Sequence, residues 1–194
     1  MASNRSARPE ARQVRLFVAI ETPEEGKRAV ARALAPWRDR FPKARWAPEE
    51  NWHVTVKFLG WTFPRLLGWV PEQVTAAVRG SVPFETRLTE LGAFPSPRRA
   101  RVLWAGLDDH AGRMAEIALA LDAGLAKEFK PEVREFRPHL TVARSDPPLR
   151  LPEGFDSTPV EPVAFRIDRV TLFRSHLKRP APTYEPLATF PFGG

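Results

Sequence analysis

The chain has no cysteine. That excludes a disulfide framework, a thiol nucleophile and a thiolate metal site. It also lacks any apolar run near the ~20 residues that a bilayer-crossing helix needs. The first twelve residues, Met1 to Arg12, are polar and basic and have none of the apolar stretch of a secretory leader. They read as a flexible tail of a cytoplasmic protein, ahead of a single domain over 13–194. Acidic residues run short: 23 Asp and Glu stand against 30 Lys and Arg, a formal charge of +7. Such a surplus favours anionic partners, nucleic acid foremost, and a solvated basic surface has the same signature. What is present, 194 residues with 43% hydrophobic and 27% charged, suits a folded domain with a buried core.

Periodicity divides the chain into strands and helices. Val14–Ile20 is a mostly apolar strand. A helix follows, with Thr22 as its cap, Pro23 in the first turn and Glu25 completing a capping box. Val30, Leu34, Trp37 and Phe41 recur at helical spacing, and Pro36 should kink or break that helix. Trp52–Leu59 is a strand ending at Gly60. A short helix is expected near Glu72–Arg79, and strands over 84–91 and 101–107. Asp108 or Asp109 can cap a further helix that buries Met114, Ile117, Leu121 and Leu125 and ends at Pro131. His139–Arg144 is a strand, Asp146–Pro162 a Pro-rich loop, and 163–173 and 184–190 are two last strands. Val18 lies 35 residues before His53 (53 − 18), and Trp104 lies 35 before His139 (139 − 104). Each half thus reads strand, helix, strand, as in a degenerate duplication whose two lobes face each other across a cleft.

The last strand of each half carries His-x-Thr. Alternate residues on a strand share a face, so His53 lies beside Thr55 and His139 beside Thr141. Val54, Val56, Leu140 and Val142 point the other way, into apolar packing. Two converging imidazoles can divide acid and base roles, and hydroxyls can hold phosphoryl oxygens as charge moves. A lone strand histidine is more often structural, and a zinc site competes for clustered ones. Zinc would need a third ligand, and no nearby His, Asp or Glu has the spacing. His110 and His176 read as surface residues.

The segments His53-Val54-Thr55-Val56-Lys57-Phe58-Leu59-Gly60 and His139-Leu140-Thr141-Val142-Ala143-Arg144 resemble the two motifs of the 2H phosphoesterase superfamily. In its longer form the pattern is similar to that of the RNA 2′,3′-cyclic phosphodiesterases, also called 2′-5′ RNA ligases. Flanking similarity covers Arg15–Ile20, Gly92–Pro95, Val102–Leu107, Phe173–Leu177 and Tyr184–Leu187. The resemblance implies an α+β fold of two pseudo-symmetric lobes, each an antiparallel sheet with outer helices, around a central cleft. It implies metal-independent hydrolysis of an RNA or nucleoside 2′,3′-cyclic phosphate to the 2′-phosphate, with reverse 2′-5′ ligation by the same groups. By position, His53 is then the proton donor to O3′ and His139 the acceptor that activates water. Thr55 and Thr141 bind the phosphate, and Arg144 adds a charged contact or forms a surface ion pair. The implied partner is RNA or a nucleotide ending in a cyclic phosphate. A cofactor, a metal, a membrane and an obligate protein partner are not implied, and the chain is expected to be a monomer.

Two segments depart from that pattern. Trp61–Pro71 is rich in aromatic residues and proline, and Arg179-Pro180-Ala181-Pro182 stands where a glycine turn is expected. Trp52 and Phe58 could stack a base, yet their parity opposes that of His53 and assigns them to the core. Arg98, Arg99 and Arg101 could follow a phosphate backbone or form a solvated turn. The competing functions are a non-catalytic RNA-binding module of the same fold and a 2H phosphodiesterase for another cyclic nucleotide or RNA end.

Overall fold

The computed structural model describes residues 12–193. Of the expected tail only Arg12 falls within that range. Twelve elements follow in order: β1 (Val14–Glu21), α1 (Glu24–Arg38), β2 (Arg45–Trp46), β3 (His53–Thr62), α2 (Trp69–Val78), β4 (Phe84–Phe94), β5 (Ala100–Leu107), α3 (Arg113–Leu125), β6 (His139–Leu149), β7 (Ala164–Ile167), β8 (Arg169–His176) and β9 (Thr183–Pro191). Every strand pairing is antiparallel, and the sheet order is β7-β4-β5-β6-β3-β1-β8-β9, with β2 added on β6. The α+β expectation therefore holds, with the two lobes joined into one curled sheet. The order reads symmetrically outward from the β6/β3 junction: β5 matches β1 and β4 matches β8. Among the described residues no helix is long and apolar enough to cross a membrane.

One side of the sheet is sealed by the helices. Leu16, Val18 and Ile20 of β1, Val54 and Val56 of β3, and Leu103, Ala105, Leu140 and Val142 of β5 and β6 join that core. Met114, Ile117, Leu121 and Leu125 of α3 and Val70, Val74 and Val78 of α2 close over them at helical spacing. Each such side chain fully removed from water is worth roughly 1.5–3 kcal/mol. Phe17 and Ala19 are buried as well but stand outside the core cluster, on the opposite face of β1.

Several element ends differ from expectation. α1 begins at Glu24 without a side-chain cap, because the Lys27 amide bonds the Pro23 carbonyl and so leaves Thr22 one residue too early. The Thr22 hydroxyl is consequently buried without a partner. Pro36 falls in the last turn of α1, which ends two residues later at Arg38 rather than breaking at the proline. Asp109, not Asp108, caps α3: its carboxylate accepts the Met114 and Ala115 amides, each at 3.0 Å. α3 stops at Leu125, well before Pro131. β6 runs on to Leu149 inside the expected loop, and 163–173 divides into β7 and β8 at Asp168.

A buried ion pair ties the two halves together on the helix side. Lys57 of β3 donates to the Asp122 carboxylate of α3 and, at 3.0 Å, to the Lys130 carbonyl. Asp122 also accepts the Glu132 amide at 2.9 Å. Removing one member leaves an uncompensated charge in the core. Asp122→Ala is expected to lower unfolding stability by about 3 kcal/mol, measured by urea denaturation. A loss below about 1 kcal/mol, the scale of an exposed pair, would contradict this role.

Candidate active site

The face of β3 opposite the helices starts with His53 and Thr55, as alternation requires. Alternation then fails. Thr55 pairs with Ala19 and Lys57 with Val18, so Val56 is an extra residue, a β-bulge. Val56 and Lys57 both lie on the core side, and the next residue on the open face is Phe58, across from Phe17. Phe58 is 50% exposed. Its assignment to the core is thereby corrected, while Trp52 is buried as expected.

β6 repeats the device. Thr141 pairs with Trp104 and Ala143 with Leu103, so Val142 is the extra residue, and Arg144 turns to the open face across from Val102. Phe58 and Arg144 thus occupy equivalent positions in the two halves. The strand register also refines the duplication. His53 faces Glu21 and His139 faces Gly106, separations of 32 (53 − 21) and 33 (139 − 106). The equal 35-residue spacings are therefore one residue out of step with the pairing.

The halves meet at a single pair, Val54 with Leu140. Carried one residue either way, that antiparallel register sets His53 across from Thr141 and Thr55 across from His139. Directly opposed Cβ atoms lie ~4.5–5.5 Å apart. Each imidazole is therefore beside one threonine along its strand and opposite the other, and the two imidazoles lie on a diagonal. His53, Thr55, Phe58, Thr141 and Arg144 line a cavity of about 250 Å³ with Arg15, Arg45, Asn51 and Tyr184. His139 is not among its lining residues. Its ring lies against Phe94 and Trp104, with centroids 5.0 and 6.4 Å away.

Each imidazole is held by a different surround. His53 stacks on Phe17 at 4.8 Å, Phe17 stacks on Phe173 at 5.3 Å, and Tyr184 meets His53 edge-on at 5.2 Å. Such contacts are worth roughly 0.5–1.5 kcal/mol each and fix ring orientation. His139 Nδ1 lies 2.6 Å from the Arg137 carbonyl. A carbonyl only accepts, so Nδ1 carries the proton and Nε2 keeps its lone pair in the neutral ring. Gly92 makes room for the supporting indole, since a Cβ there would stand 2.2 Å from the Trp104 ring.

The cavity is cationic, and among the described residues no Asp or Glu lines it. Arg45 and Arg144 are direct cross-strand partners, an arrangement that repels. Among the described residues neither they nor Arg15 joins an ion pair with a carboxylate. Burial, with Arg15 and Arg45 nearby, pulls the Arg144 pKa down, and Tyr184 opposes this. Burial raises the Tyr184 pKa against the pull of Arg15 and Arg144. Burial also lowers both histidines. His53 falls to about 4 from 6.5, with a backbone hydrogen bond to Asn51 acting upward and the charge of His139 downward. His139 is lowered by burial, against its bond to Arg137, and by Arg144 and Arg134. An anion is the charge such a cavity favours.

The other expectations divide. Arg98, Arg99 and Arg101 stay away from the cavity, and Arg101 pairs with Asp146 at 2.9 Å. His110 is exposed beside Asp108, ahead of α3, and His176 bonds Glu185. Pro180, Ala181 and Pro182 of the proline-rich segment form part of the cavity wall, and the Asn51 amide donates to the Pro182 carbonyl at 2.7 Å. Among the described residues no cluster of three or more His, Cys, Asp or Glu could hold a metal ion. Arg15 and Tyr184 fall within the blocks of family similarity, but periodicity gives them and Arg45 no site role, because strand register and the β2 pairing bring them to the cavity.

Comparison with known proteins follows the same lines. The family model described as the 2′-5′ RNA ligase superfamily matches residues 24–179. A curated relative from Geobacillus stearothermophilus, an RNA 2′,3′-cyclic phosphodiesterase, is 30% identical over 92% of this chain, which spans 57% of that relative's length. One of the same name from Methanothermobacter thermautotrophicus is 31% identical, with 92% of this chain and 98% of the relative covered. Among solved structures, a Thermus thermophilus protein superposes with a TM-score of 0.79 at 28% identity, covering 93% of this chain and 98% of its own. E. coli LigT, at 23% identity and a TM-score of 0.76, covers 94% of this chain and 99% of its own and shares the fold.

The electrostatics have a measurable sign. Both imidazoles are expected to be neutral at pH 7 in the free protein, with His53 titrating near 4 and His139 below 6.5. Because the fold disfavours the charged His53, stability is complete above 6.5 and declines as pH falls from there to about 4. NMR titration of the imidazole Hε1 resonances checks the values, and inorganic phosphate should raise both. A His53 inflection above 6.5 would contradict the burial argument.

Proposed function

The chain belongs to the 2′-5′ RNA ligase superfamily, and we propose that it hydrolyses RNA 2′,3′-cyclic phosphate ends by paired histidine acid–base catalysis. One arrangement carries this reading: two imidazoles and two hydroxyls set diagonally across a single strand junction, with His53 and both hydroxyls lining a cleft whose guanidinium groups have no carboxylate partner among the described residues. A cyclic phosphate is an anion with two ester oxygens held in one ring. The diagonal supports a proton donor on one side of phosphorus and an acceptor on the other, as in-line displacement requires.

His139 Nε2, left basic by the Nδ1 bond to Arg137, takes a proton from water. The water oxygen bonds to phosphorus as the P–O3′ bond breaks. Protonated His53 gives its proton to O3′. The products are a 2′-phosphate, a free 3′-hydroxyl, neutral His53 and protonated His139, and solvent exchange restores the pair. Thr55 and Thr141 hydroxyls donate to the non-bridging oxygens, each contributing on the scale of an oxyanion donor, roughly 10²–10³ in rate. Arg144, with Arg15 and Arg45 beside it, binds the charge. With a 5′-hydroxyl in place of water, the same groups form a 2′-5′ linkage.

The donor must be charged, yet burial holds the His53 pKa at about 4, which favours the neutral ring at pH 7. The phosphate anion corrects this by raising the His53 pKa, so substrate binding and donor protonation are linked.

The test is incubation with an oligoribonucleotide ending in a 2′,3′-cyclic phosphate, with and without a chelator. A 2′-phosphate should form in both, and His139→Ala should abolish turnover while leaving RNA binding. A 3′-phosphate product, loss of activity in chelator, or turnover by His139→Ala would each overturn the mechanism. The pH profile gives a further check. The rate should be bell-shaped, and its alkaline limb should lie at higher pH for kcat than for kcat/KM, because the bound phosphate lifts the donor. Coincident limbs would contradict that linkage.

A further inference from the structure

The open face does not end at Phe58. β3 carries a second bulge: Phe58 pairs with Phe17 and Gly60 with Leu16, leaving Leu59 extra and turned into the core. Gly60 has φ 70, the left-handed conformation that glycine accepts without strain. The face resumes at Trp61, directly across from Arg15. His53, Thr55, Phe58 and Trp61 therefore stand along one surface, and Trp61 is 58% exposed.

A second concavity, of about 550 Å³, opens beside Trp61, with Arg12, Arg15, Arg174 and His176 in its wall. Arg15 lines both this groove and the catalytic cavity, so the two adjoin at that side chain. Among the described residues no Asp or Glu lines the groove, and the Glu185 carboxylate beyond it is bonded to His176 at 2.6 Å. Among the described residues Arg12 and Arg174 form no ion pair. The groove thus combines an exposed indole with uncompensated positive charge. Stacking platforms flanked by cations are what single-stranded nucleic acid requires.

Resting on the cyclic-phosphate reading above, we propose that this groove holds the single-stranded RNA immediately 5′ of the reacting end, with Trp61 stacking an unpaired base and Arg12 and Arg174 meeting its phosphates. The chemistry of the end fixes the direction. A cyclic phosphate occupies both the 2′ and 3′ oxygens of the last ribose, so the strand can leave only through the 5′ oxygen. Along β1, Glu21 lies opposite His53 and Arg15 opposite Trp61. Six residues of strand (21 − 15) span about 20 Å. At ~3.4 Å per stacked nucleotide, and roughly twice that when splayed, Trp61 meets the third to sixth nucleotide from the end. A duplex would keep its bases stacked inside and offer no face to the indole.

The experiment is a length series of oligoribonucleotides of one to eight nucleotides, each ending in a 2′,3′-cyclic phosphate. KM should fall at least tenfold between one nucleotide and about six, then level off. Trp61→Ala should remove most of that gain and leave the one-nucleotide substrate unchanged. Arg12→Ala and Arg174→Ala should each flatten the dependence of log KM on log salt by about 0.7 for the long substrates. A flat length series, an equal effect of Trp61→Ala on all lengths, or equal use of an end buried in a duplex would overturn the proposal. If every length is inert, the functional reading fails, and the groove is judged by direct binding of a hexanucleotide to wild type and Trp61→Ala. Equal binding then overturns it.

Discussion

β3 and β6 touch through one backbone pair, and the site depends on that contact. Val54 and Leu140 face the core, where burial holds them, so the residues on either side must face the cleft. The hydrophobic demand of two ordinary aliphatic side chains thereby orients two histidines and two threonines. The bulges at Val56 and Val142 extend the effect. Each consumes one residue, buries Lys57 or Ala143, and delivers Phe58 or Arg144 to the open face. The pseudo-twofold relation is thus more than a sequence echo. It equips one half with an aromatic ring and the other with a guanidinium at the same position.

Charge completes what packing begins. Burial disfavours the protonated histidines, while arginines on β1, β2 and β6 gather without carboxylate partners among the described residues. An empty cleft of this kind is frustrated, because like charges face one another and an acid lacks its proton. A phosphate anion relieves both conditions together. The same relief couples recognition to chemistry in the proposed mechanism, since the group to be cleaved also charges the residue that assists its cleavage. The Trp61 groove extends the cationic surface without adding to the reaction.

Much of this was legible in the linear sequence. Period-two alternation placed each His beside its Thr, and helical spacing picked out the buried faces of α1 and α3. The apolar residues that make those patterns also bury the elements, so the pattern and its cause coincide. Bulges break that coincidence. Nothing in Val56-Lys57 or Val142-Ala143 marks an extra residue, so parity wrongly sent Phe58 to the core, and Arg144 reached the cleft for a reason alternation does not contain. Arg15, Arg45 and Tyr184 had no site role in the alternation for a related cause: they arrive through strand pairs distant in sequence. The Thr22 cap failed by one residue, because a backbone carbonyl served where a side chain was expected. The aromatic excess over 61–71 and the proline run at 180–182 were visible as departures; Trp61 of the first lines the groove and the second lines the cleft.

The division of labour between the two histidines is tested most directly by changing the leaving atom. A cyclic substrate with sulfur in place of O3′ releases a thiolate, which needs no proton. His53→Ala should be nearly inactive on the oxygen substrate and recover most of its rate on the sulfur one, while His139→Ala stays inactive on both. Recovery of His139→Ala instead would reverse the donor and acceptor, and recovery of neither would remove proton donation to O3′ from the mechanism.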